Sequence, residues 1–132
     1  MAADGTIKET QEILNLVVTT GKVFVASRMA GTSASVMSHM AIGTSNTAAV
    51  VGDTSLASEV ARVALTSTTA SSNDVTYVAT FPAGTPSSAA GVVEAAILNA
   101  SSVGTMLCRT VFSVINKAPT DSLSITWVVS AS

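Results

Sequence analysis

Charged side chains are scarce in this chain: Asp, Glu, Lys and Arg make up 11 % of its 132 residues, less than half of the ~25 % usual in globular domains. Six bases against eight acids leave a net charge of −2. That balance provides no basic face for a phosphate backbone, so nucleic acid is not expected as a partner. Disordered chains are rich in charge and poor in apolar residues. Here 48 % of residues are apolar and the mean hydropathy is +0.55, so a packed core is expected. A surface so thinly charged is weakly protected against association, and self-assembly is the expectation.

Long apolar runs are missing as well. "LVV" at 16–18 and "VFVA" at 23–26 fall far short of the ~20 residues a bilayer helix needs, and no membrane partner is expected. The N-terminal "MAADGTIKETQE" carries three acids and one base and no apolar stretch. It does not resemble a secretory signal, which points to cytoplasmic synthesis.

Cys108 is the single cysteine, so no internal disulfide can form; within "TMLCRTVF" it reads as a buried strand residue. His39 is the single histidine. A metal site would need further ligands at suitable spacing and a catalytic triad a nucleophile and an acid around this one base, so His39 reads as a packing or interface residue. There is no G-x-S-x-G elbow, and "GTSNTAAVVG" lacks the lysine of a phosphate loop. Met29, Met37, Met40 and Met106 read as core or interface filler. No catalytic residue, cofactor or metal site is assigned, and an enzyme is not expected.

What remains is a chain of Val, Ala, Ser and Thr with turn chemistry. Residues 7–29 begin with helical spacing. Thr6 and Glu9 fit a capping box, and Ile13, Val17, Gly21 and Val25 recur at i, i+4. The β-branched "VVTTG" weakens that signal, so the expectation is a helix over about 7–20, a turn, and a second helix or a strand over 22–29. Short strands then follow at 36–43, 59–67, 75–81, 92–99, 105–115 and 122–130. They are separated by a loop at 44–55, a polar turn at 68–74 and a Pro/Gly loop at 82–91. "VTYVATF" and "SLSITWVVS" alternate most cleanly. The fold class expected is mainly β: an antiparallel β-sandwich or small barrel of six to eight strands with an N-terminal helix. Residues 1–35 form the helical or extended segment, expected to contact neighbouring subunits, and residues 36–132 the sandwich. With three Phe, one Tyr and one Trp, the core is expected around Tyr77, Phe81, Phe112, Leu123, Ile125 and Trp127, the last its largest element.

Four charges lie inside strands: Glu59, Arg62, Glu94 and Arg109. Each would cost several kcal/mol to bury alone and needs a partner. In a regular strand Glu59 and Arg62, three apart, face opposite sides and do not pair with each other. The expectation is pairing between adjacent strands or across a subunit interface.

The order "HMAIGTSNTAAVVGDTSLASEVAR", "VTYVATFPAG", "VVEAAILNASSVGTMLCRTVF", "NKAPTDSLSITWVVS" resembles the short tail-fibre or collar-fibre modules of tailed bacteriophages. The matching positions are Ile42 and Gly43; Leu56, Glu59 and Arg62; Glu94 with Ile97 and Leu98; Leu107, Arg109 and Phe112; and Ile125 to Trp127. The likeness covers roughly residues 36–130 and departs from the pattern at Ala96, where the family has Gly, and in "GTSNT", which lacks a second Gly. The resemblance implies a non-enzymatic virion component, made in the host cytoplasm, that assembles as an oligomer, often a trimer, and docks other virion proteins in the tail, neck or collar. It also implies that the Glu and Arg positions hold strands or subunits in register. No coiled coil or shaft sequence accompanies the module, so the chain is not expected to reach a host receptor alone. A capsid decoration or cement protein is the alternative. A carbohydrate-binding sandwich is a third reading, disfavoured because Trp127 and Tyr77 have inward parity.

Overall fold

Alternation of apolar and hydroxyl side chains over residues 75–81 and 123–129 builds the most regular unit of the computed structural model, which describes residues 16–31 and 35–130. The elements in chain order are β1 (Leu16–Val17), α1 (Thr19–Met29), β2 (His39–Gly43), β3 (Glu59–Ala64), β4 (Ser67–Ser71), β5 (Asp74–Phe81), β6 (Ala90–Leu98), β7 (Met106–Lys117) and β8 (Leu123–Ser130). They form two antiparallel sheets, one of five strands in the order β1-β7-β6-β2-β3 and one of three in the order β4-β5-β8. The sheets do not close into a barrel. The mainly β, sandwich-like architecture expected from the sequence is the one observed.

The inner faces meet in a core of Met40, Ile42, Ala95, Ile97, Cys108 and Ile115 from the larger sheet and Tyr77, Ala79, Phe81, Leu123, Ile125 and Trp127 from the smaller. Of the expected core residues only Phe112 differs: it is half-buried and packs against the core from its margin. The cause is a break in strand register. Glu94 faces Val111 and Val92 faces Ile115, so two steps along β6 span four along β7, and the chain bulges at Phe112.

The larger sheet has a second buried face. Ala41, Ala96, Leu98 and Met106 pack there with Val18 and Leu56, beneath α1 and the 44–58 loop. Leu16–Val17 pair with Arg109 and Cys108 of β7, and the helix begins only at Thr19. The helix expected over 7–20 is therefore a strand at 16–17, and its residues 7–15, with the Thr6 cap, lie outside the described residues. Gly21, read as a turn, is inside α1. A Cβ there would collide with the backbone of Leu107, so the missing side chain lets the helix lie directly on β7. The hydroxyl of Thr20 donates to the Met106 carbonyl at 2.9 Å. Tertiary contact thus holds a helix whose β-branched sequence is a weak helix former. Met29, on its last turn, is exposed rather than filling a core.

The polar stretch at 68–74 is a second correction. Residues Ser67–Ser71 form β4, paired with β5 through the two-residue turn Ser72–Asn73, where Ser72 has φ 57°. All five β4 residues are exposed, so no apolar alternation marked the strand; backbone pairing alone forms it. The single strand expected at 59–67 ends at Ala64, and Leu65–Thr66 carry the chain from one sheet to the other.

Candidate functional site

The four strand charges singled out in the sequence, Glu59, Arg62, Glu94 and Arg109, lie on the second, outer face of the five-stranded sheet. In the ladder Arg62 faces Ala41, Ala41 faces Ala96, and Ala96 faces Arg109. Glu59 faces Gly43, and Gly43 faces Glu94. Period-two geometry puts both of these rows on one side of the sheet.

Glu94 is fully buried, and its carboxylate accepts five hydrogen bonds. Arg109 supplies two, from Nε at 3.1 Å and Nη2 at 2.8 Å. Backbone N–H groups of Ser45, Ala57 and Ser58 donate at 3.2, 3.1 and 2.8 Å. Arg109, also buried, donates further to Asp53 Oδ2 at 3.1 Å and to the Thr47 carbonyl at 2.9 Å. Asp53 in turn accepts the Val50 N–H at 2.9 Å. The pair therefore grips both ends and the middle of the 44–58 loop. A charge-assisted network of this kind offsets the desolvation of two buried ions only because nearly all their hydrogen-bonding capacity is used.

Gly43 makes the grip possible. A Cβ on residue 43 would collide with Glu94 Oε2 and stand 2.5 Å from the Ser58 carbonyl oxygen. Leu56, also buried, fills the outer layer beside them.

Glu59 and Arg62 form a second clamp, and here the expectation from parity is overturned. Arg62 Nε and Nη2 donate to the two Glu59 oxygens at 2.9 and 2.8 Å, an in-strand pair. The reason is a bulge: Ile42 faces Ala61 while Gly43 faces Glu59, so Val60 is extra and resets the side-chain parity between 59 and 62. Arg62 Nη1 then donates at 3.0 Å to the carbonyls of Ala100 and Val103, holding the β6–β7 connection. The expected cross-strand pairing is realised by Glu94 and Arg109.

Sequence reasoning missed Asp53 as a member of the network and Lys117 altogether. Asp53 sat in a loop, where turn chemistry explained it. Lys117 is buried at the end of β7, its ammonium donating to the Pro82 carbonyl at 3.1 Å. Burial pushes its pKa down, and Asp121 opposes that shift. Cys108 is buried in the core and its thiol is pushed up by loss of solvation. Tyr77 is shifted upward first by burial and then by Cys108. His39, at the start of β2, is half-buried and hydrogen-bonded through Nδ1 to the Ser38 hydroxyl at 2.7 Å. Trp127 is fully buried, and its Nε1 finds no acceptor among the described residues.

A depression of about 290 Å³ beside the Arg109 network is lined by Thr47, Asp53, Leu56 and Arg109, among others. The guanidinium there already makes four hydrogen bonds to the protein itself. Among the described residues no three His, Cys, Asp or Glu side chains are grouped to hold a metal ion, and no helix is long and apolar enough to cross a membrane. The arrangement holds the 44–58 loop and the β6–β7 connection.

No family model, no curated protein and no solved structure matches the chain.

Proposed function

We propose that this chain is a non-enzymatic building block of a tailed-phage virion, in the tail, neck or collar, that assembles with itself and docks neighbouring virion proteins. One observation carries the reading. Six of the positions through which the sequence resembles collar-fibre modules, Gly43, Leu56, Glu59, Arg62, Glu94 and Arg109, lie together in or beside the two ionic clamps that fix the 44–58 loop and the β6–β7 connection. Others, among them Ile42, Ile97, Ile125 and Trp127, fill the core between the sheets. A set of residues scattered between positions 43 and 109 of the chain that works as one scaffold has a mechanical role. The clamped segments present Val50, Val51 and Val103 to solvent, apolar side chains suited to packing against another protein.

The capsid-decoration reading uses the same features and differs only in where the chain sits. The carbohydrate reading loses its platform, because Tyr77 and Trp127 are both buried. Immunogold labelling of phage particles with antibody against this chain tests the proposal. A ring of label at the neck or tail is the expected result; label spread over the head supports decoration instead, and its absence from particles overturns both.

A further inference from the structure

We propose that the edge of β8, which no described strand covers, docks a second copy of this chain, by antiparallel strand addition that extends the three-stranded sheet across a two-fold axis. The inference deepens the self-assembly part of the reading above and is independent of any position on a virion.

A sheet edge exposes a row of unpaired N–H and C=O groups, and proteins that remain single blunt such edges with bulges, charges, proline or short length. Among the described residues two of the four edges carry that protection. β3 has the bulge at Val60 together with Glu59 and Arg62. The part of β7 beyond β1 has the interruption between Val111 and Ile115 and ends on Lys117. β4 has no bulge, charge or proline, but it is five residues long. The longer unprotected edge is β8. It is eight residues long, pairs β5 in unbroken register from Leu123 to Ser130, and contains neither a charged residue nor a proline. Among the described residues no strand pairs with its other side.

The chemistry of the edge selects a second copy as occupant. Two antiparallel copies of one strand related by a two-fold axis match N–H to C=O along their whole length, an isologous contact. Because β8 is uncharged, two copies meet without like-charge repulsion, whereas a charged partner strand would find no counter-charge on it. The alternation of the strand carries through such a contact: Leu123, Ile125 and Trp127 lie on the core side and Ser124, Thr126 and Val128 on the other.

The test compares wild type with a Thr126→Lys/Val128→Lys variant by sedimentation velocity over a concentration series. Like charges placed opposite each other in a paired sheet destabilise it. The expected result is reversible pairing of the wild type, weakened about ten-fold or more in a variant with unchanged thermal unfolding. Should the lysines unfold the chain, cysteines added singly at 124, 126 and 128 replace them, with Thr69→Cys on β4 as control. Facing Cβ atoms in such a pair lie about 4.5–5.5 Å apart. A single cysteine faces its own copy only where the axis passes through it, so Ser124→Cys/Thr126→Cys and Thr126→Cys/Val128→Cys are made as well. At least one of these β8 variants forms an intermolecular disulfide and Thr69→Cys forms none. Association untouched by the lysines, or cross-linking as strong from β4, overturns the β8 proposal and leaves self-assembly to another surface. A wild type that stays monomeric at every concentration overturns both.

Discussion

Glu94 and Arg109 meet at 2.8 Å although they are not register partners: Glu94 faces Val111, and Arg109 faces Ala96. The contact is a diagonal across β6 and β7, within reach of long side chains on one face of an antiparallel pair. Arg109→Met leaves the buried Glu94 carboxylate without its counter-ion and is expected to cost about 3–5 kcal/mol of stability in urea denaturation. Glu94→Gln leaves Arg109 still paired with Asp53 at 3.1 Å and is expected to cost less. The double variant removes both charges and should cost less than the sum of the two, by about 0.5–3 kcal/mol. Full additivity would mean that the pair is not a unit.

Gly43→Ala introduces the methyl group that the grip on the loop excludes, against Glu94 Oε2 and the Ser58 carbonyl. A loss of about 1–3 kcal/mol is expected, as for other overpacked sites, with faster hydrogen exchange at Ala57 and Ser58, whose N–H groups bond Glu94. Gly52→Ala, where an added Cβ meets nothing within 4 Å, is the control and should leave those exchange rates unchanged.

Arg62→Lys separates the second clamp from the first. The lysine keeps the charge but loses the planar fork that serves Glu59 and two carbonyls at once. Glu59 is partly exposed, its side chain 30 % accessible, so the global cost should be about 1 kcal/mol or less. The local effect is larger: limited proteolysis should cut the 99–104 connection faster in the variant than in the wild type.

Lys117 gives the pH dependence its sign. Burial lowers its folded-state pKa below the ordinary 10.5, so the folded chain releases this proton before the unfolded chain does. Between the two values the unfolded state holds more protons, and the Lys117 contribution to stability rises with pH. Lys117→Met should remove that rise. Thermal unfolding of both proteins across the alkaline range checks it, and a variant with the same alkaline slope as the wild type would sink the assignment.

Much of the sandwich was legible in the chain. Tyr77, Ala79 and Phe81 in β5 and Leu123, Ile125 and Trp127 in β8 recur at every second position, and all are buried as that period requires. The identity of the four strand charges was legible too, because isolated ions in apolar strands demand partners. Their pairing was legible in part: Glu94 and Arg109 pair across adjacent strands as expected, whereas Glu59 and Arg62 do not. Glu59 and Arg62 pair within one strand only because Val60 is a bulge, and a bulge is decided by the ladder of the neighbouring strand. Strand β4 and the start of α1 were hidden for a related reason: one is an exposed polar edge with no hydrophobic period, the other a poor helix former held against Leu107 by the absence of a side chain at Gly21.

Composition and alternation by themselves determined a low-charge, mainly β chain whose strand-borne Glu and Arg residues could not stand alone. Tertiary structure decided that all four share the outer face of one sheet and that Asp53 joins them from a loop. It also set which backbone segments they hold. The physical reason is range: a period of two is written between near neighbours, whereas strand register, bulges and the meeting of Arg109 with a residue 56 positions away depend on chain segments that come together only on folding.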